Sequence, residues 1–205
     1  MLTISTRVRK ILAVSLLLVI SGAIAGIFWY NDYVYNLPTP IPANYLHVNN
    51  GKHINVSNAL SFDNKKPLFL HFFNPDCPCS KFNIKHFKTL VKQYGNQTNF
   101  AVILMTDKYY TPAEVKKKFD LDVPVFVDPA LAVACGVYST PQAAILNNKH
   151  NLYYRGNYNS SRYCSDTKTE YARMALSALL NNAQPVKFNP LAVTAYGCSL
   201  PNCRQ

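Results

Sequence analysis

The chain has 205 residues, 49% of them apolar and 15% charged, with 21 lysines and arginines against 10 acidic residues. That composition supplies material for one folded domain with a single core and excludes a disordered or low-complexity chain. The basic excess is dispersed: Lys116, Lys117 and Lys118 form its densest cluster, at the end of a predicted helix where they suit the dipole, and no nucleic-acid motif accompanies them.

Residues 1–10 carry Arg7, Arg9 and Lys10, and an unbroken apolar run follows from Ile11 to Phe28, closed by Trp29 and Tyr30. About 20 apolar residues span a bilayer core, and aromatic residues suit its interface. The expectation is a membrane anchor over residues 11–30, embedded in the lipid bilayer. The three preceding cations place the N-terminus in the cytoplasm and the rest of the chain outside it. Ala23-Ile24-Ala25 offers a small-x-small cleavage site, so a signal peptide is the alternative, and either reading exports the domain. The exported part then holds 18 basic against 10 acidic residues, an excess suited to an anionic surface or acidic partners.

Residues 31–44, with Pro38, Pro40 and Pro42, read as an extended stalk. A domain over 45–183 opens with a weak strand and turn, Tyr45 to Val56, and then the apolar run Pro67 to Phe73, which reads as a central strand buried on both faces. After Cys77-Pro78-Cys79 comes a helix with apolar residues at Ile84, Phe87, Leu90, Val91 and Tyr94, with Ser80 as its expected cap and Gly95 as its stop. Phe100 to Met105 is a second strand. Thr111, Pro112 and Glu114 supply a cap, a first-turn proline and a capping-box acid for a short helix ending at Phe119. Val123 to Val127 is a third strand, Pro129 to Cys135 a helical turn, and Gln142 to Leu146 with Leu152 to Arg155 a hairpin. A last helix starts near Asp166, with Thr167 and Glu170 at capping-box spacing and Tyr171, Met174, Ala175, Ala178 and Leu179 as its apolar face. Residues 184–205 read as an irregular, cysteine-containing tail.

Six cysteines in an exported chain are compatible with disulfides. A thiol near the first turn of a helix feels unpaired backbone amides that favour thiolate, which places the reactive candidate at Cys77. Asp76 opposes this, because a neighbouring carboxylate raises a thiol pKa. A Cys77-Cys79 bond requires a tight loop, and such a bond is easily reduced. The other outcome open to Cys77 is pairing with a substrate or with a more distant resolving thiol. Cys135, among small apolar residues, reads as a core thiol. The connectivity of Cys164, Cys198 and Cys203 is not fixed by spacing. The expectation is that Cys164 ties to the tail through Cys198, which leaves a resolving role for Cys198 as the alternative.

Over residues 65–182 the chain resembles the thioredoxin-like superfamily, nearest its membrane-tethered extracytoplasmic redoxin-like members. The resemblance rests on Phe72-Phe73-Asn74-Pro75-Asp76-Cys77-Pro78-Cys79-Ser80, on Val123-Pro124-Val125-Phe126-Val127-Asp128-Pro129, on Gly136-Val137-Tyr138-Ser139-Thr140-Pro141, and on Arg155-Gly156. It implies an α/β fold with a central mixed sheet flanked by helices, preceded here by one transmembrane helix. It implies thiol–disulfide exchange with protein thiols and disulfides in a bacterial periplasm or other extracytoplasmic space, with no cofactor and no metal. Cys77 falls on the family's nucleophile, and Ser80 stands where a second cysteine is usual, so the second thiol moves inward to Cys79. Pro141 matches the family's cis-proline, and a cis bond is expected after Thr140. Pro78, Ser80, Thr140 and Pro141 are then the expected substrate groove.

Three other readings carry less of the sequence. Cys77 and Cys79 with His71, His86 or His150 could bind Cu(I), although copper-handling relatives use a longer cysteine spacing. A thiol peroxidase would need a threonine before Cys77, where Phe73-Asn74-Pro75-Asp76 has none. A non-catalytic module could bind a partner through the tyrosine- and arginine-rich segment 153–163. Sequons at Asn55, Asn96 and Asn159 carry no weight in a bacterial setting.

Overall fold

In a computed structural model, residues 5–35, 37–56, 62–63, 65–161, 163–184 and 186–199 are described. The chain divides into two compact units, residues 1–37 and 38–205. The first holds α1 (Thr6–Tyr35), of which Thr6–Val34 is long and apolar enough to cross a membrane, a test that a signal sequence also meets. The helix runs five residues into the segment expected as stalk. Nothing from Asn31 to Tyr35 breaks a helix, and the first proline, which disfavours helical geometry in the residue before it, is Pro38.

In the second unit, residues 45–56 form no strand. They make a turn around Gly51, at φ +89°, and an isolated bridge between His53 and Asn151, while Val48 and Ile54 are buried in the core. The elements that follow are β1 (Leu68–Phe73), α2 (Pro78–Tyr94), β2 (Asn99–Leu104), α3 (Pro112–Phe119), β3 (Val125–Phe126), α4 (Pro129–Cys135), β4 (Ser139–Thr140), β5 (Gln142–Leu146) and β6 (Leu152–Gly156). A 3₁₀ turn (Thr167–Thr169), α5 (Tyr171–Leu180), α6 (Pro190–Val193) and β7 (Cys198–Ser199) complete them.

The main sheet has the order β3-β2-β1-β5-β6, with β1, β2 and β3 parallel and β5 antiparallel to both β1 and β6. Three parallel strands joined by helices, followed by an antiparallel hairpin, make a thioredoxin-like fold. All six residues of β1 are buried, so its side chains alternate between two cores. Phe69 and Phe73 pack with Phe87 and Leu90 of α2 and Ala172, Ala175 and Leu176 of α5. Leu68, Leu70 and Phe72 pack with Leu131, Ala132 and Cys135 of α4.

Several helix ends are set differently from the expectation. Cys77, not Ser80, is the N-cap of α2, with Pro78 in the first turn, because a proline there gives up no needed N–H. The Thr111–Glu114 capping box forms as expected. The Thr167–Glu170 pairing does not: Asp166 accepts from Lys168 N–H to cap a 3₁₀ turn, and α5 begins at Tyr171, with Met174 left exposed.

Of the tail expected to be irregular, residues 186–199 are built into the unit, and residues 200–205 lie outside the described residues. Ala192 and Ala195 are fully buried. The Asn157 amide N–H donates to Ala192 O (2.8 Å), and its side chain donates to Leu191 O (2.7 Å) and Thr194 O (2.6 Å). Gly156 lets α6 approach, since a Cβ there would lie 2.1 Å from Ala192 O.

His71 lies fully buried in β1, its ring 4.4 Å from that of Phe87 and its Nδ1 2.7 Å from the Tyr158 hydroxyl. Burial, reinforced by the neighbouring His86, pulls its pKa down to about 3, so the imidazole is neutral at physiological pH. The unfolded chain therefore binds a proton that the folded chain refuses, and folding stability falls as pH drops from about 6.5 towards 3. We predict that His71→Leu flattens this part of the acid limb, removing roughly 3 kcal/mol of pH dependence between pH 6.5 and 4 in denaturant unfolding. An unchanged limb would assign the acid sensitivity to other groups.

Candidate thiol site

The loop from β1 to α2 is shaped by its own polar groups. Asp76 N–H donates to Asn74 Oδ1 (2.9 Å), Cys77 N–H to Asn74 O (3.1 Å), and Asn74 N–H to Ser80 Oγ (3.4 Å). Asn74 and Ser80 are both buried, so Ser80 braces the loop from inside. Cys77 therefore caps α2 with extended backbone and no side-chain capping bond, its sulfur free for other chemistry at the positive end of the helix.

That sulfur is bonded to Cys198, 121 residues away, with a Cα–Cα separation of 6.3 Å. The expected Cys77–Cys79 bond is not formed, and neither is the expected Cys164–Cys198 tie. Cys77 caps the helix and Cys79 is its second residue. Two steps of about 100° turn their side chains to opposite sides of the axis. Cys79 is buried on the inner side. Cys198 arrives on β7, which pairs antiparallel with β4 in a two-stranded sheet, Thr140 opposite Cys198 and Ser139 opposite Ser199. Cys77 Sγ lies 3.6 Å from Thr140 O.

The Thr140–Pro141 bond is cis, as the resemblance implies. Thr140 is buried, Pro141 half-buried and Pro78 exposed. Gly197, at φ +141°, is required by close approach: a Cβ there would lie 2.3 Å from Thr140 O. From the other end of the unit, Thr39 N–H donates to Ala195 O (2.8 Å) and its hydroxyl to Gly197 O (3.1 Å), and that hydroxyl lies 2.9 Å from Ser139 Oγ. With these partners in place the two sulfurs are withdrawn from solvent, Cys77 at 0% and Cys198 at 2% exposure.

Asp76 does not face Cys77 as an uncompensated charge. Tyr110 donates to its Oδ1 (2.9 Å), and Lys108 Nζ lies 3.3 Å from its Oδ2. Partial burial pushes the carboxyl up, but these partners outweigh it and hold the group below the usual carboxylate range. Cys135 and Cys164 are poorly disposed to react. Burial pushes Cys135 up to about 12, and it pushes Cys164 to about 11 against a hydrogen bond from Asn83 Nδ2 to the sulfur (3.1 Å). Cys203 lies outside the described residues.

His150 occupies the β5–β6 turn, and among the described residues no group of three His, Cys, Asp or Glu is placed to hold a metal ion. The residues that reasoning from sequence missed are Thr39, Lys108, Tyr110 and Gly197. Only the last had a signal, a glycine directly before a tail cysteine.

Solved structures with similar folds include a hypothetical protein from Sinorhizobium meliloti 1021, 18% identical, covering 77% of this chain and 96% of that one with a TM-score of 0.62. An uncharacterized conserved protein from Geobacillus kaustophilus is 21% identical, covering 79% and 97% with a TM-score of 0.59. A thioredoxin-like protein solved in its oxidised form is 16% identical, covering 72% and 98% with a TM-score of 0.49. No curated protein matches the chain. The family model for the domain of unknown function DUF6436 matches residues 47–201, a stretch that takes in the β1–α2 loop, the cis-proline and Cys198, and the chain belongs to that family.

Proposed function

We propose that this chain is a membrane-tethered thiol–disulfide oxidoreductase acting outside the cytoplasm, with Cys77 as nucleophile and Cys198 as its partner thiol. The observation that carries this reading is the Cys77–Cys198 bond itself, which links the cap of α2 to a strand laid against Thr140 beside the cis-proline. In the reducing direction, the Cys77 thiolate attacks one sulfur of a protein disulfide. A Cys77–substrate bond forms and the second substrate sulfur leaves as thiolate. The Cys198 thiolate then attacks Cys77 Sγ, the mixed disulfide breaks, and the substrate departs as a dithiol carrying two electrons. The reverse sequence oxidises a substrate dithiol, and a second dithiol or disulfide protein resets the pair in either direction.

Two features support Cys77 in this role. The helix terminus stabilises its thiolate, and Lys108 with Tyr110 neutralises much of the opposing influence of Asp76. The apolar α1 supports the tether, and the paired cysteines suit an oxidising compartment.

The deciding experiment is mass-resolved thiol trapping of the full chain across a redox buffer series. The expected result is a single two-electron transition that protects Cys77 and Cys198 together, survives Cys79→Ser, and is lost in Cys77→Ser. The Cys198→Ser chain should accumulate a stable mixed disulfide between Cys77 and a model disulfide substrate. Turnover retained in Cys77→Ser would sink the catalytic reading, and a transition lost in Cys79→Ser but kept in Cys198→Ser would return the partner role to Cys79. Cys135 and Cys164 should resist alkylation at pH 8, where their raised pKa values leave roughly one part in a thousand or less as thiolate.

The electrostatic argument has its own test. In the reduced chain, Lys108→Met and Tyr110→Phe should each raise the Cys77 pKa, by about 0.5–1 unit, in the pH profile of alkylation rate. Asp76→Asn should lower it and make the Lys108 substitution nearly silent. A profile indifferent to all three would show that the helix terminus acts alone.

A further inference from the structure

We propose that a cavity along the outer edge of β6 is a binding site for a small aromatic carboxylate, with Arg155 holding the carboxylate and the surrounding aromatic side chains holding the ring. The inference goes beyond the redox role of Cys77 and Cys198 and does not rest on it. β6 is the last strand of the main sheet, and among the described residues two other parts of the same unit cover its outer edge in part. At one end Leu152 N–H donates to Lys52 O (2.9 Å), and Gly51 N–H donates to Leu152 O (2.7 Å). At the other, Asn157 N–H donates to Ala192 O and α6 sits against Gly156. Between these points lies a cavity of about 490 Å³, inside the range of about 300–1,000 Å³ usual for small-molecule sites.

The lining is aromatic and carries no negative charge. Tyr45, Tyr138, Tyr153, Tyr154 and Phe188 contribute rings, and among the described residues no Asp or Glu lines the cavity. Tyr45 and Tyr138 meet edge to face with centroids 4.8 Å apart, and the rings of Tyr154 and Phe188 lie 5.0 Å apart, so these walls are packed before a ligand arrives. Ile41 and Val193 also line it, and at 67% and 47% exposure they leave apolar surface open to solvent. Arg155, half-buried, supplies the charge. Its Nη1 donates to Gly136 O (2.7 Å) and to the Tyr45 hydroxyl, and Gly136 leaves room for it, since a Cβ there would lie 2.7 Å from Nη1. Both Nη1 hydrogens are thereby used and the guanidinium is held in place. Among the described residues it makes no ion pair, and its Nε and Nη2 hydrogens have no partner. The fork that remains matches a carboxylate, and a charge partly withdrawn from water is stabilised by a counter-charge that meets it with paired hydrogen bonds. Flat walls around an unpaired, pre-positioned guanidinium select a planar acid over a cation or a neutral ring.

Isothermal titration calorimetry of the full chain in phospholipid nanodiscs, with empty nanodiscs as the blank, tests this with naphthoate and its neutral counterpart naphthamide. Naphthoate should bind saturably, one per chain, and about tenfold or more tighter than naphthamide. Arg155→Lys keeps the charge but loses the fork, and should weaken naphthoate binding about fivefold or more while leaving the amide unchanged. Because Arg155 also braces Gly136 and Tyr45, a second variant leaves it intact: Val193→Glu adds a carboxylate at an exposed position of the lining. It should weaken naphthoate about tenfold and leave naphthamide within about twofold. No saturable naphthoate binding, equal affinity for acid and amide, or a naphthoate affinity untouched by Val193→Glu overturns the proposal. None of these results bears on the cysteine pair, which thiol trapping decides separately.

Discussion

The bond between Cys77 and Cys198 joins the N-cap of a helix packed on the central strand to a two-residue strand 121 residues further along the chain. Closing 121 residues removes a large amount of freedom from the unfolded chain, on the order of 4–5 kcal/mol in the chain-entropy account. The rest of the site follows from this constraint. β7 pairs with β4 beside the bond, Gly197 must lack a side chain because Thr140 O sits against it, and Thr39 finds acceptors in the same backbone.

Burial sets Cys135 and Cys164 apart from the bonded pair. Cys135 is a component of the α4-side core, and Cys164 is held by an amide from α2, and burial raises both thiols beyond easy ionisation. Cys77 stands where unpaired helix amides favour a thiolate, and the carboxylate next to it in sequence is turned into a bonding partner for Tyr110 and Lys108. His71, directly across the sheet layer beneath α2, is kept neutral by the same burial that makes it part of the aromatic packing.

The described part of the tail lies beside the cis-proline. In the described structure β4, beside the cis-proline, pairs with the chain's own β7.

The amino-acid sequence by itself determined what depends on neighbours a few residues apart. The continuous apolar run at 68–73 became the buried central strand, Thr111 and Glu114 closed their capping box, the apolar N-terminal stretch became one long helix, and Cys77 stood at a helix start beside a later cis Thr140–Pro141 bond. Periodicity, caps and turn residues act over one or two helical turns, which is why these features were legible. The tertiary structure decided the partner of Cys77, the ordering of the tail, the loop character of residues 45–56 and the neutralisation of Asp76. Each depends on groups tens of residues apart meeting within a few ångströms, and spacing along a chain carries no record of that distance. A disulfide forms where two Cα atoms can approach to within about 7 Å, and only the folded sheet, with Gly156 and Gly197 clearing the way for the tail, brings Cys198 to Cys77.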